Sequence, residues 1–164
     1  MPNFQELSVG QVVAEQSFEV SRDSLVRYAG ASGDFNPIHY REDFAQSVGL
    51  PGVIAHGMWG AALISTVLGT EFPGPGTIYM QQALRFKRPV KIGDEVTVTA
   101  TITALDAEKA RVTLSTVCTV GGKTVLDGDL LAITCAAEAL QDTVQTDFCA
   151  ALALARQPQA DVGQ

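Results

Sequence analysis

The clearest pattern in this chain lies in its second half. From Glu95 to Ala104 the residues alternate, with Val96, Val98, Ala100, Ile102 and Ala104 on one side and Glu95, Thr97, Thr99, Thr101 and Thr103 on the other. That is a strand with one buried face and one wet face. Val112, Leu114, Thr116, Cys118 and Val120 continue the rhythm into Gly121-Gly122, a hairpin turn signal. Ile78 to Val90 and Lys123 to Ala136 read as two further strands, the latter with weaker alternation and a bulge expected at Gly128. The joints Lys91-Ile92-Gly93-Asp94 and Asp106-Ala107-Glu108-Lys109 are short and polar.

The first half is mostly helical. Gln11 to Val20 has strand character, and Ser21 then opens a helix on which Leu25, Tyr28 and Ala29 share a face. Gly30 to Gly33 ends that helix, a short one runs from Pro37 to near Gly49, and Leu50-Pro51-Gly52 breaks the chain. Gly57 to Leu68 contains no charge and is apolar nearly all round, which predicts a helix buried on most sides. Pro73-Gly74-Pro75-Gly76 closes the helical half. An antiparallel sheet wrapped around one long buried helix, an α+β domain, accommodates these elements over residues 1–139. In the extension, 140–164, Leu140, Val144, Phe148 and Leu152 predict a loosely packed amphipathic helix ending before Pro158, with a frayed tail.

Composition narrows the function classes. A chain of 164 residues, 46% hydrophobic and 18% charged, suits one globular domain. A net charge of −7 argues against nucleic-acid and anionic-membrane surfaces, which need clustered cations. No apolar run reaches the length of a membrane span, and the first residues lack the basic and apolar regions of a secretory signal. Cys118, Cys135 and Cys149 are odd in number and form no CxxC, so free thiols in a reducing cytoplasm are expected. Neither a cofactor nor a structural metal is expected.

Candidate chemistry is concentrated between Tyr28 and Ala45. Asp34 precedes His39, and Asn36-Pro37 lies between them. Asn36 is a good N-cap, and proline is favoured at the first helical position. His39 then falls at the third helical position, with Asp34 in the loop before it. The positive helix end disfavours imidazolium, so His39 is expected to stay neutral near pH 7. A neutral imidazole and a carboxylate converging on one point can hold and activate a water. Taken alone, an Asp/His pair is more often a structural contact. Gly57 stands at the start of the apolar helix, where unpartnered N–H groups face outward and a ligand can approach closely. Asp34, His39 and His56 could be drawn as a facial metal triad, but no other feature supports one. Ser65 reads as a buried hydroxyl in mid-helix, bonded back to the preceding turn.

Tyr28, Ser32-Gly33-Asp34, Asn36-Pro37, Ile38, His39 and Ala45 together resemble the signature of the (R)-specific enoyl-CoA hydratases, the hydratase 2 or MaoC-like family. His56-Gly57-Met58 is similar to that family's His-Gly-Met. Ile78-Tyr79, Gln81-Gln82 and Arg85 to Val90 resemble its first long strand, and Val90, Gly93, Asp94, Glu95 and Val96 its Val-x-x-Gly-Asp-Glu-Val. The likeness spans about Val9 to Ala136 and omits the extension.

The resemblance implies a hot-dog fold and reversible hydration of trans-2-enoyl-CoA to (R)-3-hydroxyacyl-CoA. A close variant acts on substrates borne by acyl carrier protein. It implies that Asp34 and His39 contact the catalytic water and that the Gly57 N–H forms the oxyanion hole. Ser65 and His56 would support the site beside the Asn36 cap. It implies a homodimer with a continuous sheet and acyl tunnels near the interface. Arg85, Lys87, Arg88 and Lys91 form the notable basic cluster, which reads either as a charged strand edge or as a landing site for coenzyme A phosphates. Met58, Trp59 and Leu63 are either acyl contacts or core. A hot-dog thioesterase competes with this reading, but such enzymes place a carboxylate on the buried helix, and the first acid here is Glu71. A non-catalytic acyl-CoA-binding subunit is the remaining alternative.

Overall fold

A computed structural model describes residues 4–133. In chain order the regular elements are β1 (Val12–Glu19), α1 (Arg22–Ser32), α2 (Glu42–Ser47), α3 (Gly57–Thr70), β2 (Ile78–Gln82), β3 (Arg85–Phe86), β4 (Glu95–Asp106), β5 (Arg111–Val120) and β6 (Lys123–Ile133). All paired strands run antiparallel in one six-stranded sheet of order β1-β4-β5-β6-β2, with β3 also on β6. Gly121 and Gly122 both take positive φ, +53° and +74°, as the two-residue β5–β6 hairpin requires. The sheet's inner face, from Val96, Val98, Ala100 and Ile102 through Val112, Leu114 and Cys118 to Leu126 and Leu130, packs on Trp59, Leu63, Ile64, Val67 and Leu68 of α3. Burying each such side chain contributes about 1.5–3 kcal/mol, which makes this layer the main source of stability. Among the described residues, no helix is long and apolar enough to cross a membrane.

The structure departs from the alternation at specific points. In β4 the register slips after Ile102, which pairs with Leu114 while Ala104 pairs with Thr113. Thr103 is therefore an extra residue, Ala104 turns outward, and Leu105 joins the core. In β6 the extra residue is Val125, between the Thr119–Thr124 and Cys118–Leu126 pairs, and not Gly128. Gly128 has another role: a Cβ there would come within 1.8 Å of the Ala83 carbonyl oxygen. The long strand expected over Ile78 to Val90 breaks there into β2 and β3, with Ala83 resting on the bare Gly128 backbone.

The segment after Pro37 is not one helix. Pro37–His39 forms a single 3₁₀ turn, Tyr40 and Arg41 interrupt it, and α2 follows. Nor is α3 buried on most sides, since Met58, Ala62, Ser65, Thr66 and Gly69 form an exposed stripe along it. Ser65 is the plainest correction: it lies in solvent rather than in the core. The predicted C-terminal helix, Cys135 and Cys149 lie outside the described residues. Cys118 is a buried free thiol.

Candidate active site

The site begins where α1 stops. Gly33 adopts the left-handed conformation (φ +76°), donates its N–H to the Ala29 carbonyl at 2.8 Å and swings the chain away from the helix axis. Asp34 follows in an exposed loop held by its own bonds. Its N–H donates to Ser32 Oγ at 3.2 Å, and its Oδ1 accepts the Asn36 N–H at 3.2 Å. Asn36 caps the next turn as its sequence context predicts, its side chain accepting the Ile38 N–H at 3.4 Å. That turn aims the His39 ring inward.

His39 is buried, and its Nδ1 lies 2.8 Å from the Ile54 carbonyl oxygen. A carbonyl only accepts, so Nδ1 carries the proton and Nε2 keeps its lone pair. Burial lowers the His39 pKa from its ordinary value, helped by the neighbouring His56 ring. The bond to the Ile54 carbonyl opposes burial, less than burial acts but more than the His56 ring adds, and Asp34 opposes it least. The imidazole is therefore neutral at pH 7. Desolvation produces this result, and the three-residue 3₁₀ turn is too short to lend a substantial dipole.

His56 ties the parts together. Its Nε2–H donates to the Asp34 backbone carbonyl at 3.0 Å. Its ring stacks on His39 with centroids 3.8 Å apart and tilts against Tyr28 at 5.0 Å. It is also the residue before Gly57 at the tip of α3. Two backbone links fasten this segment to its neighbours: Ala55 N–H donates to Val90 O at 2.7 Å, and Ile54 N–H to Ile38 O at 3.2 Å. Three separated stretches of sequence thus meet, and one atom each from Asp34, His39 and His56 lies within 4.8 Å of the others. That spacing could span a cation. However, His56 Nε2 is already engaged by the Asp34 backbone carbonyl. Two acceptors that share one water stand about 4.5 Å apart, a separation compatible with the 4.8 Å limit within which these groups gather.

At the helix tip the Trp59 N–H donates to the His56 carbonyl at 3.1 Å, and the Gly57 N–H, one of the first-turn donors that no helix carbonyl reaches, has no partner among the described residues. The Phe86 ring rests against Gly57, 3.0 Å from where a Cβ would stand. A cavity of about 450 Å3 opens beside this tip. His39, His56 and Gly57 line it together with Trp59, Cys118 and Leu126, and exposed Lys87 and Arg88 stand on its outer side. Of the expected acyl contacts, Trp59 lines the cavity, Met58 points to solvent and Leu63 belongs to the core. Ser65 lies away from these groups, and no hydrogen bond among the described residues uses its hydroxyl. Arg85 and Lys87 both pair with Asp127, which holds that carboxyl below its usual range, and Arg88 donates to the Thr124 carbonyl. The strand-edge account therefore fits Arg85 best.

Sequence reading did not assign Ile54, Phe86 or Leu126 to the site. Ile54 acts through its carbonyl, which no side-chain pattern reveals. Phe86 and Leu126 arrive as cross-strand partners from opposite ends of the sheet-forming half.

The MaoC like domain model matches residues 4–126. An (R)-specific enoyl-CoA hydratase of Rhodospirillum rubrum is 48% identical over 126 residues, 77% of this chain and 87% of that protein. A 3-hydroxybutyryl-CoA dehydratase of Methylorubrum extorquens is 44% identical over 78% of this chain and 81% of its own length. The solved (R)-hydratase of A. caviae, involved in PHA biosynthesis, superposes with a TM-score of 0.75 at 39% identity, covering 80% of this chain and 99% of that one. The fold is thus the hot-dog fold. Since the matched stretch carries Asp34, His39 and the tip of α3 within it, the chain belongs to the MaoC-like family.

Proposed function

We propose that this protein is an (R)-specific enoyl-CoA hydratase, a hydro-lyase that adds water reversibly to trans-2-enoyl-CoA to give (R)-3-hydroxyacyl-CoA. The observation that carries the reading is that Asp34 gathers with His39 and His56, while His39, His56 and the Gly57 tip of α3 line one cavity. Water donates one hydrogen to the Asp34 carboxylate and the other to His39 Nε2. As its oxygen attacks C3, His39 takes the second proton and charge develops on the thioester oxygen. The Gly57 N–H at the positive end of α3 stabilises that enolate, the kind of term that often dominates catalysis. The imidazolium then protonates C2, so one water has been added and His39 is neutral again. The thioester is the substrate, and the step needs no cofactor. Arg88 at the cavity's outer side is the best-placed partner for coenzyme A phosphates.

Crotonyl-CoA tests this directly. Loss of the conjugated enoyl absorbance without thiol release is the expected result. Thiol release alone would mark a thioesterase, and no change at all a binding subunit. The acid limb of kcat/KM should titrate below pH 6.5, because only neutral His39 accepts the proton and its pKa is lowered. A limb above 6.5 would assign the titration to another group.

The active form is a homodimer in the cytoplasm. Its support is the exposed stripe on α3 and the outer edge of β2, unpaired among the described residues, where Ile78, Tyr79 and Met80 are exposed. The free Cys118 thiol fits a reducing compartment. Sedimentation at micromolar concentration should give twice the chain mass, and a monomer would refute the assembly.

A further inference from the structure

We propose that Glu42, an exposed carboxylate outside the cavity, is a positioning residue: it anchors the Gly52–Val53 turn so that the Ile54 carbonyl meets His39 Nδ1 and keeps the ring in its working tautomer. The catalytic half of this rests on the hydratase reading above. Glu42 opens α2 three residues after His39, and its Oε2 accepts the Val53 N–H at 3.0 Å. The polar atoms of the next residue are gripped by the same stretch of chain. Ile54 N–H donates to Ile38 O at 3.2 Å, and Ile54 O accepts from His39 Nδ1–H at 2.8 Å. Ile38, His39 and Glu42 thus clamp positions 53 and 54 with one bond each. Glu42 is not among the residues that line the cavity, so it acts on the chemistry only through this clamp.

The seat of the carboxylate is specific. Gly52 takes φ +140°, and a Cβ there would stand 2.7 Å from Glu42 Oε1 and 3.3 Å from its Cδ. Only a bare backbone bends this way and lets the carboxylate lie against it. Gln46, one turn along α2, donates from Nε2 to Oε1 at 2.9 Å and steadies the other oxygen. Arg41, beside Glu42 in sequence, pairs with Asp43 instead. Among the described residues, the bond to Glu42 is the hydrogen bond that ties down positions 51–53. A charged acceptor makes it stronger than a bond between neutral groups. Without it the Ile54 carbonyl can drift from His39. A neutral ring released from that carbonyl can carry its proton on Nε2, the nitrogen that has to accept from water.

The test removes the acceptor and then restores it. Glu42→Ala should lower kcat for crotonyl-CoA hydration by about tenfold or more, with KM within about threefold of wild type. Glu42→Met, which keeps the stem and lacks the oxygens, should do the same and decides the matter if the alanine variant folds poorly. Glu42→Gln keeps an oxygen for the Val53 N–H and should hold kcat within about threefold of wild type. Nitrogen-15 NMR reads the ring itself. In the wild type His39 should be the Nδ1–H tautomer and His56 the Nε2–H tautomer, with His39→Asn assigning the signals. Removing the acceptor should turn His39 into a mixture of tautomers whose ring proton exchanges faster. A smaller loss of kcat, a loss that falls on KM, a glutamine variant as impaired as the alanine one, or an unmoved His39 spectrum would each overturn the proposal. If the wild type hydrates no enoyl-CoA, the hydratase assignment falls and the NMR comparison alone decides whether Glu42 governs the ring.

Discussion

Asp34→Asn and His39→Asn each lower kcat for enoyl-CoA hydration by about 10²–10⁴-fold while leaving the fold in place. The two substitutions are chosen so that local structure survives. Asparagine at position 34 keeps an oxygen for the Asn36 N–H, and the backbone carbonyl that His56 grips is untouched. Asparagine at position 39 keeps an N–H that can reach the Ile54 carbonyl, yet lacks anything in place of the Nε2 lone pair. Rates by absorbance and melting curves by circular dichroism separate chemistry from stability. Either variant retaining a tenth of parental kcat would show that its side chain does not handle the water.

Gly128→Ala destabilises the domain by on the order of 3 kcal/mol, the upper part of the range for forcing atoms into a packed site. The added methyl would fall 1.8 Å from the Ala83 carbonyl oxygen and 2.8 Å from its carbon. Those are backbone atoms of the segment joining β2 to β3, so they cannot rotate aside as a side chain could. Relief requires the edge strand to lift from β6, and the Thr116 hydroxyl that donates to the Gly128 carbonyl at 3.1 Å is disturbed too. Urea denaturation of the full chain measures the loss. A midpoint within experimental error of the parent would mean that the edge yields freely.

These three positions show what was legible in the sequence. Asp34, Asn36 and His39 could be read because a local rule, Asn before Pro at a turn, places them within a few residues of one another. The inner faces of β4 and β5 were legible for the same reason, since alternation is a nearest-neighbour property. Gly128 could not be read, because the Ala83 carbonyl that needs it lies far away in sequence and the residue looks like any glycine in a strand. The exposed face of α3 was missed because apolar composition suggested burial all round. The signal lay in side-chain size: Ala62, Ser65 and Gly69 are small where Leu63, Ile64, Val67 and Leu68 are large. The pKa of His39 was expected to fall for the wrong reason, since the depth of a ring is set by the tertiary packing and only its turn is written locally.

The bond from His39 Nδ1 to the Ile54 carbonyl has a stereochemical corollary. In the proposed mechanism, with one nitrogen committed to the backbone, a single lone pair both collects the proton and hands it back. Oxygen must then join C3, and hydrogen C2, from the same side of the alkene plane. The expected addition is suprafacial, and in heavy water the deuterium at C2 would end syn to the new hydroxyl group.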